Sequence, residues 1–190
     1  MKRFKTLSLL MAVGMLSVGV VACKGKKDAG PSEGEVFVDV PCSGPEYFTD
    51  KKYFRANAIG ESLDQMTAKK KAMSNARAQL ATDMSSTMKI VGDNYVKSTE
   101  FNNKEEVTET FQENARTVVN QSLTGIRVIC EKQAKTAEGK YKTYIAIELS
   151  ADEILSKYNE RLSKDESLKA DYNYEKFKQT FDEEMSKIGQ

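Results

Sequence analysis

Apolar positions along this chain change their period several times, and each change marks an element. From Tyr53 to Gly60 they alternate. Phe54, Ala56 and Ala58 fall on one side and Arg55 and Asn57 on the other, the pattern of a half-buried strand. Its inner side is small, which suits close approach of a packed element. Ser62-Leu63-Asp64-Gln65 then reads as a capping box with Ser62 as N-cap, and Asp64 suits the positive end of a helix. Beyond it Met66, Met73, Ala76, Leu80, Met84, Met88, Val91 and Tyr95 recur mostly at three- and four-residue spacing. This amphipathic stripe predicts a helix of about 45 Å. Ala68, Ala72 and Ala76 add a row of small residues to match the Ala-lined strand. A bend or break is expected near Ser85-Ser86-Thr87 or Gly92. The Met-rich stripe reads as core rather than as a soft ligand or metal surface, because its spacing is helical and its opposite face charged.

The remaining elements follow in the same way. Glu35 to Val40 alternates Val36, Val38 and Val40 and stops at Pro41, predicting a short edge strand. Cys42 to Lys52 is a loop. After Asn102-Asn103-Lys104, a second helix uses Val107, Phe111, Ala115, Val118, Val119 and Leu123 and ends before Gly125. Ile126 to Glu131 and Tyr141 to Leu149 form an antiparallel hairpin about the turn Ala137-Glu138-Gly139-Lys140. Its second strand aligns Tyr141, Thr143, Ile145, Ile147 and Leu149 on one face. Ser150-Ala151-Asp152-Glu153 repeats the capping box and opens a helix with Ile154, Leu155, Tyr158 and Leu162. A last amphipathic helix carries Phe177, Phe181, Met185 and Ile188, a stripe that must pack on the body or on a partner. The fold class is α+β: an antiparallel three- to four-stranded sheet packed on a long amphipathic helix, with extra C-terminal helices. An α+β domain is expected over residues 35–163 and a C-terminal helical extension over 164–190.

The N-terminal segment has a different character. Lys2, Arg3 and Lys5 precede an apolar run from Leu7 to Ala22, the pattern of a secretory signal peptide over residues 1–22. The run is shorter than the roughly 20 apolar residues that span a bilayer core, and it contains Gly14 and Gly19. It closes on Val20-Val21-Ala22-Cys23, which resembles a bacterial lipobox. That resemblance implies a diacylglyceryl group on the Cys23 thiol, cleavage before Cys23 and acylation of the new amine. Each buried methylene contributes about 0.8 kcal/mol, and two or three chains together hold stably. Residues 23–34 then form the lipidated Cys and a flexible tether, with Lys24, Gly25, Lys26, Lys27, Asp28, Gly30, Pro31, Ser32 and Gly34.

Charge and residue usage narrow the chemistry. Removing residues 1–22 takes three of the 29 basic residues and none of the 28 acidic ones, leaving a net charge of −2. Nothing in that balance attracts nucleic acid over the whole surface. Histidine is absent, so Ser-His and Cys-His nucleophile pairs, His-ligated zinc and His acid/base chemistry are excluded. No Asp or Glu stands in a recognisable catalytic motif, and no cofactor or metal is expected. Two cysteines remain after lipidation, Cys42 and Cys130. Either they close a disulfide in an oxidising compartment, or Cys130 is a buried free thiol in an inward alternation with Ile126 and Val128.

The lipobox with its short tether is one of three features that together resemble the Lpp-twenty family of small bacterial outer-membrane lipoproteins. Another is the strand ending Ala58-Ile59-Gly60-Glu61-Ser62, followed by a helix through Ala68, Ala72, Ala76 and Ala78-Gln79-Leu80-Ala81. The third is Ser122-Leu123-Thr124-Gly125-Ile126-Arg127-Val128, leading into a hairpin with Tyr141 and Tyr144. The likeness covers Tyr53 to Leu149. It implies an α+β domain with an antiparallel sheet on a long helix, and no known enzyme activity. Its sorting rule associates an aspartate after the lipidated Cys with inner-membrane retention; Lys24 stands there instead, which favours the outer membrane. The chain is thus expected to be a non-catalytic, lipid-anchored envelope protein, facing the periplasm or the surface and presenting a binding or assembly surface. Its expected partners are the membrane, through Cys23, and an envelope protein or further copies of itself. The alternative is a periplasmic carrier holding a small apolar ligand between sheet and helix; the Ala-rich packing predicts a tight, dry contact there instead.

Overall fold

The structure, a computed structural model, describes residues 34, 36, 38–168 and 170–188. The chain divides into two units, Met1–Val38 and Asp39–Gln190. In the first, Gly34, Val36 and Val38 are described; the two valines are exposed and belong to no strand. Asp39 and Val40, which open the second unit, are likewise unpaired, so the strand expected over 35–40 is corrected for its described residues. Three alternating valines make a short signal. Pro41, lacking an N–H, ends it at once, and Cys42 turns the chain at φ +59°.

The second unit runs through a 3-10 turn (Pro45–Tyr47), β1 (Tyr53–Ser62), α1 (Gln65–Ser98), α2 (Lys104–Ser122), a 3-10 turn (Leu123–Gly125), β2 (Arg127–Lys135), β3 (Tyr141–Ser150), α3 (Ala151–Lys164) and α4 (Tyr174–Ile188). It is an α+β fold. Its sheet has three antiparallel strands in the order β1-β3-β2, and α1 packs against it. β3 is central because its inner residues Thr143, Ile145, Ile147 and Leu149 are buried, and Ala146 and Glu148 on its other side are buried too.

The contact between β1 and α1 is built from the smallest residues in the chain. A Cβ on Gly60 would lie 2.2 Å from the Ala68 carbonyl oxygen and 2.4 Å from the Ala72 nitrogen. Ala68, Ala72 and Ala76 are fully buried against this strand face. Two expectations about α1 are corrected. Its N-cap is Asp64, whose Oδ1 accepts from the Thr67 N–H at 2.7 Å, while Ser62 still belongs to β1. The break expected near Ser85-Ser86-Thr87 or Gly92 is absent, since the helix runs on for 34 residues; at that place Thr87 donates its hydroxyl to the Asp83 carbonyl one turn back. Gly92 serves a neighbour, since a Cβ there would stand 3.3 Å from Cβ of Phe111 in α2.

Buried positions step by four along α1 from Ala68 to Met88, so its covered face rotates by about 40° per step. The first half therefore lies on the sheet and the second meets α2 and α4. Met66, roughly 160° round from Ala68, points where those helices do not reach and is exposed.

Where the helices meet, aromatic rings close the core. Phe177 of α4 lies 5.5 Å from Tyr95, 5.1 Å from Tyr158 and 5.9 Å from Phe111, centroid to centroid. The Tyr158 hydroxyl donates to the Phe111 carbonyl at 2.7 Å, and the Tyr95 hydroxyl accepts from the Asn173 N–H at 2.7 Å. Both phenols are thereby satisfied, and burial pushes each above the usual tyrosine range. Phe177, Phe181 and Met185 belong to the same core cluster as the sheet residues. The boundary expected at 163/164 falls in the last turn of α3, and α3 and α4 on either side of it contribute to one core.

Candidate functional site

The face of the sheet turned away from α1 gathers the polar chemistry of the chain. It is formed by alternate residues of each strand: Tyr53, Arg55, Asn57, Ile59 and Glu61 of β1, and Lys142, Tyr144, Ala146 and Glu148 of β3. Antiparallel register sets Arg55 and Arg127 on either side of Glu148. The enclosed Glu148 carboxylate accepts from Arg55 Nε at 3.1 Å and from Arg127. Arg55 also pairs with Asp50 at 2.7 Å and donates to the Phe48 carbonyl at 3.0 Å. Both guanidinium groups lie over the Tyr53 ring, at 5.0 and 6.0 Å.

Two cations thus meet two carboxylates. Burial pushes the Asp50 carboxyl up, but the Lys52 N–H, Arg55 and the Tyr53 N–H outweigh it and hold it below the usual range. Burial likewise lowers Arg55, and its bonds to Asp50 and Glu148 reverse that. The cluster joins all three strands to the loop that precedes them. Its groups are committed to one another, an arrangement suited to fixing geometry.

The second feature of this face is covalent. Val128 pairs with Ile147, but Cys130 pairs with Ala146, so Ile129 is the extra residue of a β-bulge. Regular pairing would set Cys130 opposite Ile145 on the α1 side. The bulge turns it to the outer face, where it forms a disulfide with Cys42, the Cα atoms 5.6 Å apart. Closing a loop with a sequence separation of 88 stabilises by about 4 to 5 kcal/mol in the chain-entropy model. The expected inward alternation of Cys130 with Ile126 and Val128 is therefore corrected. Val128 is half exposed because α1 lies across β1 and β3. It reaches β2 through long polar side chains, Lys69 to Glu131 at 2.9 Å and Gln65 to Gln133 at 2.5 Å.

A second polar junction lies between α2 and α3, beside a depression of about 500 Å³. There Asn114 Oδ1 accepts from Arg161 Nε at 2.9 Å, and its Nδ2 donates to Asp165 at 3.2 Å. Among the described residues there is no group of three or more His, Cys, Asp or Glu that could hold a metal ion. Among them, too, no helix is long and apolar enough to cross a membrane.

Of the residues singled out from the sequence, Cys42 and Cys130 are brought together, and Cys23 lies outside the described residues. The Arg55–Glu148–Arg127 row with Asp50 escaped sequence reasoning. Its one legible signal was Glu148 standing inside an apolar strand; which arginines flank it depends on register. No protein-family model matches this chain, and no curated protein matches it either.

Proposed function

We propose that this chain is a non-catalytic envelope lipoprotein, held at the outer membrane by acyl chains on Cys23 and acting through contacts made by its α+β body. The observation that carries the reading is the run Val20-Val21-Ala22-Cys23 behind a basic and apolar leader, followed at once by a Gly- and Lys-rich tether. The resemblance to the Lpp-twenty family points the same way. Absence of histidine supports a role in contact rather than bond-making. The body suits such a role: a filled core, and an outer sheet face on which paired charges and a disulfide fix the surface. Its partner is an envelope protein or another copy of the chain.

Metabolic labelling with palmitate tests the proposal. Wild-type chain should carry label and fractionate with the outer membrane, and Cys23→Ala should be unlabelled and either unprocessed or released. Label persisting on Cys23→Ala, or absent from the wild type, would overturn it.

A further inference from the structure

The outer face of the sheet is crossed by residues 39–47, and their connections are unevenly distributed. Within the segment the hydrogen bonds are local: Ser43 to the Val40 carbonyl, and the Tyr47 N–H to the Gly44 carbonyl. Among the described residues, its links to the central and far strands both pass through Cys42, the disulfide to Cys130 and a 3.8 Å approach of the Cys42 sulfur to the Tyr144 carbonyl oxygen, while the 3-10 turn Pro45–Tyr47 rests against β1. From Phe48 onward the chain is pinned independently. Arg55 donates to the Phe48 carbonyl, Thr49 both accepts from the Arg55 N–H and donates to its carbonyl, and Asp50 pairs with Arg55. The core cluster lies on the other side of the sheet and includes neither cysteine. Cys130 is partly exposed, on an edge strand, so an attacking thiolate can approach it.

We propose that the Cys42–Cys130 bond is a redox-sensitive latch: a dithiol reductant opens it, frees residues 39–47 up to a hinge at Phe48, and leaves the body folded. A thiolate of the dithiol attacks Cys130 Sγ, and Cys42 leaves as a thiolate and takes up a proton. The second thiol of the reductant then displaces Cys130. Two protein thiols and one oxidised dithiol result, two electrons having passed to the protein disulfide. The surface next to the bond is the row that Cys130 shares with Ala146 and Asn57. Ala146, fully buried, is the cross-strand partner of Cys130, and one row along, half-exposed Ile59 is paired with Tyr144. The latch is independent of the anchor on Cys23, since no step involves that residue.

Hydrogen exchange on the full chain, with and without dithiothreitol, tests the latch, and the double variant Cys42→Ser, Cys130→Ser provides the permanently open form. Exchange over residues 40–47 should quicken about tenfold or more in both, while α1 and β3 remain protected relative to an unfolded chain, their protection lowered by no more than the lost loop-closure stabilisation accounts for. Unchanged protection of 40–47 after reduction would mean that the segment is held without the bond. Exchange of α1 and β3 at the rate of an unfolded chain would mean that the bond staples the whole body. A disulfide that yields to dithiothreitol only in denaturant would equally contradict the proposal.

Discussion

Gly60 decides how closely strand and helix approach. An added methyl at this position would meet backbone atoms of Ala68 and Ala72, which cannot rotate away as a flexible side chain would. Gly60→Ala should therefore destabilise the fold by about 2 to 3 kcal/mol, the cost of overpacking where the backbone must shift. Urea denaturation should show a lower midpoint at unchanged slope. Asp50 makes a different prediction. Its carboxyl is held below the ordinary value of 3.8 by hydrogen bonds present only in the folded chain. Its contribution is thus complete above that value and disappears as pH falls through the lower folded one. Asp50→Asn should be less stable than wild type at neutral pH, and the two stability curves should converge below pH 3.8. A gap that persisted or widened in acid would contradict this assignment.

Elements were legible where a single apolar period ran long enough. β1, α2, the hairpin strands, α3 and α4 follow from their stripes, and Ser150 caps α3 as its capping-box pattern predicts, whereas Asn103, legible only as loop, proves to be the cap of α2. What the sequence concealed depended on partners. The four-residue step along α1 looks straight in sequence, yet it carries the buried face from sheet to helices and leaves Met66 outside. Likewise the bulge at Ile129 moves Cys130 to the other face, and no local pattern announces an extra residue in a strand. The three valines before Pro41 satisfied the strand period without finding a ladder. Helix α4 gives the sharpest test at this scale, since its stripe fitted core and partner equally well. With Phe177 enclosed by Tyr95, Phe111 and Tyr158, Phe177→Ala should cost about 3 to 5 kcal/mol. Thermal unfolding that shifted no more than for a surface substitution would show that α4 is an arm rather than part of the core.

For the whole molecule, the two sides of the sheet do separate work. One builds a core from alanines, methionines and aromatic rings contributed by all four helices. The other carries the Arg55–Glu148–Arg127 row and the disulfide, which tie the preceding chain to the strands. In the proposed lipoprotein the body would hang from its N-terminal side, so the segment entering at Asp39 would bear the tether, and Cys42 is its first covalent junction with the sheet. The placement itself rests on the leader and Cys23, and the intact mass of the chain extracted from cell envelopes in detergent reads both at once. The expected mass is that of a chain lacking residues 1–22 and heavier than its remaining sequence by a diacylglyceryl group and one further acyl chain. A full-length, unacylated mass from the soluble fraction would contradict it.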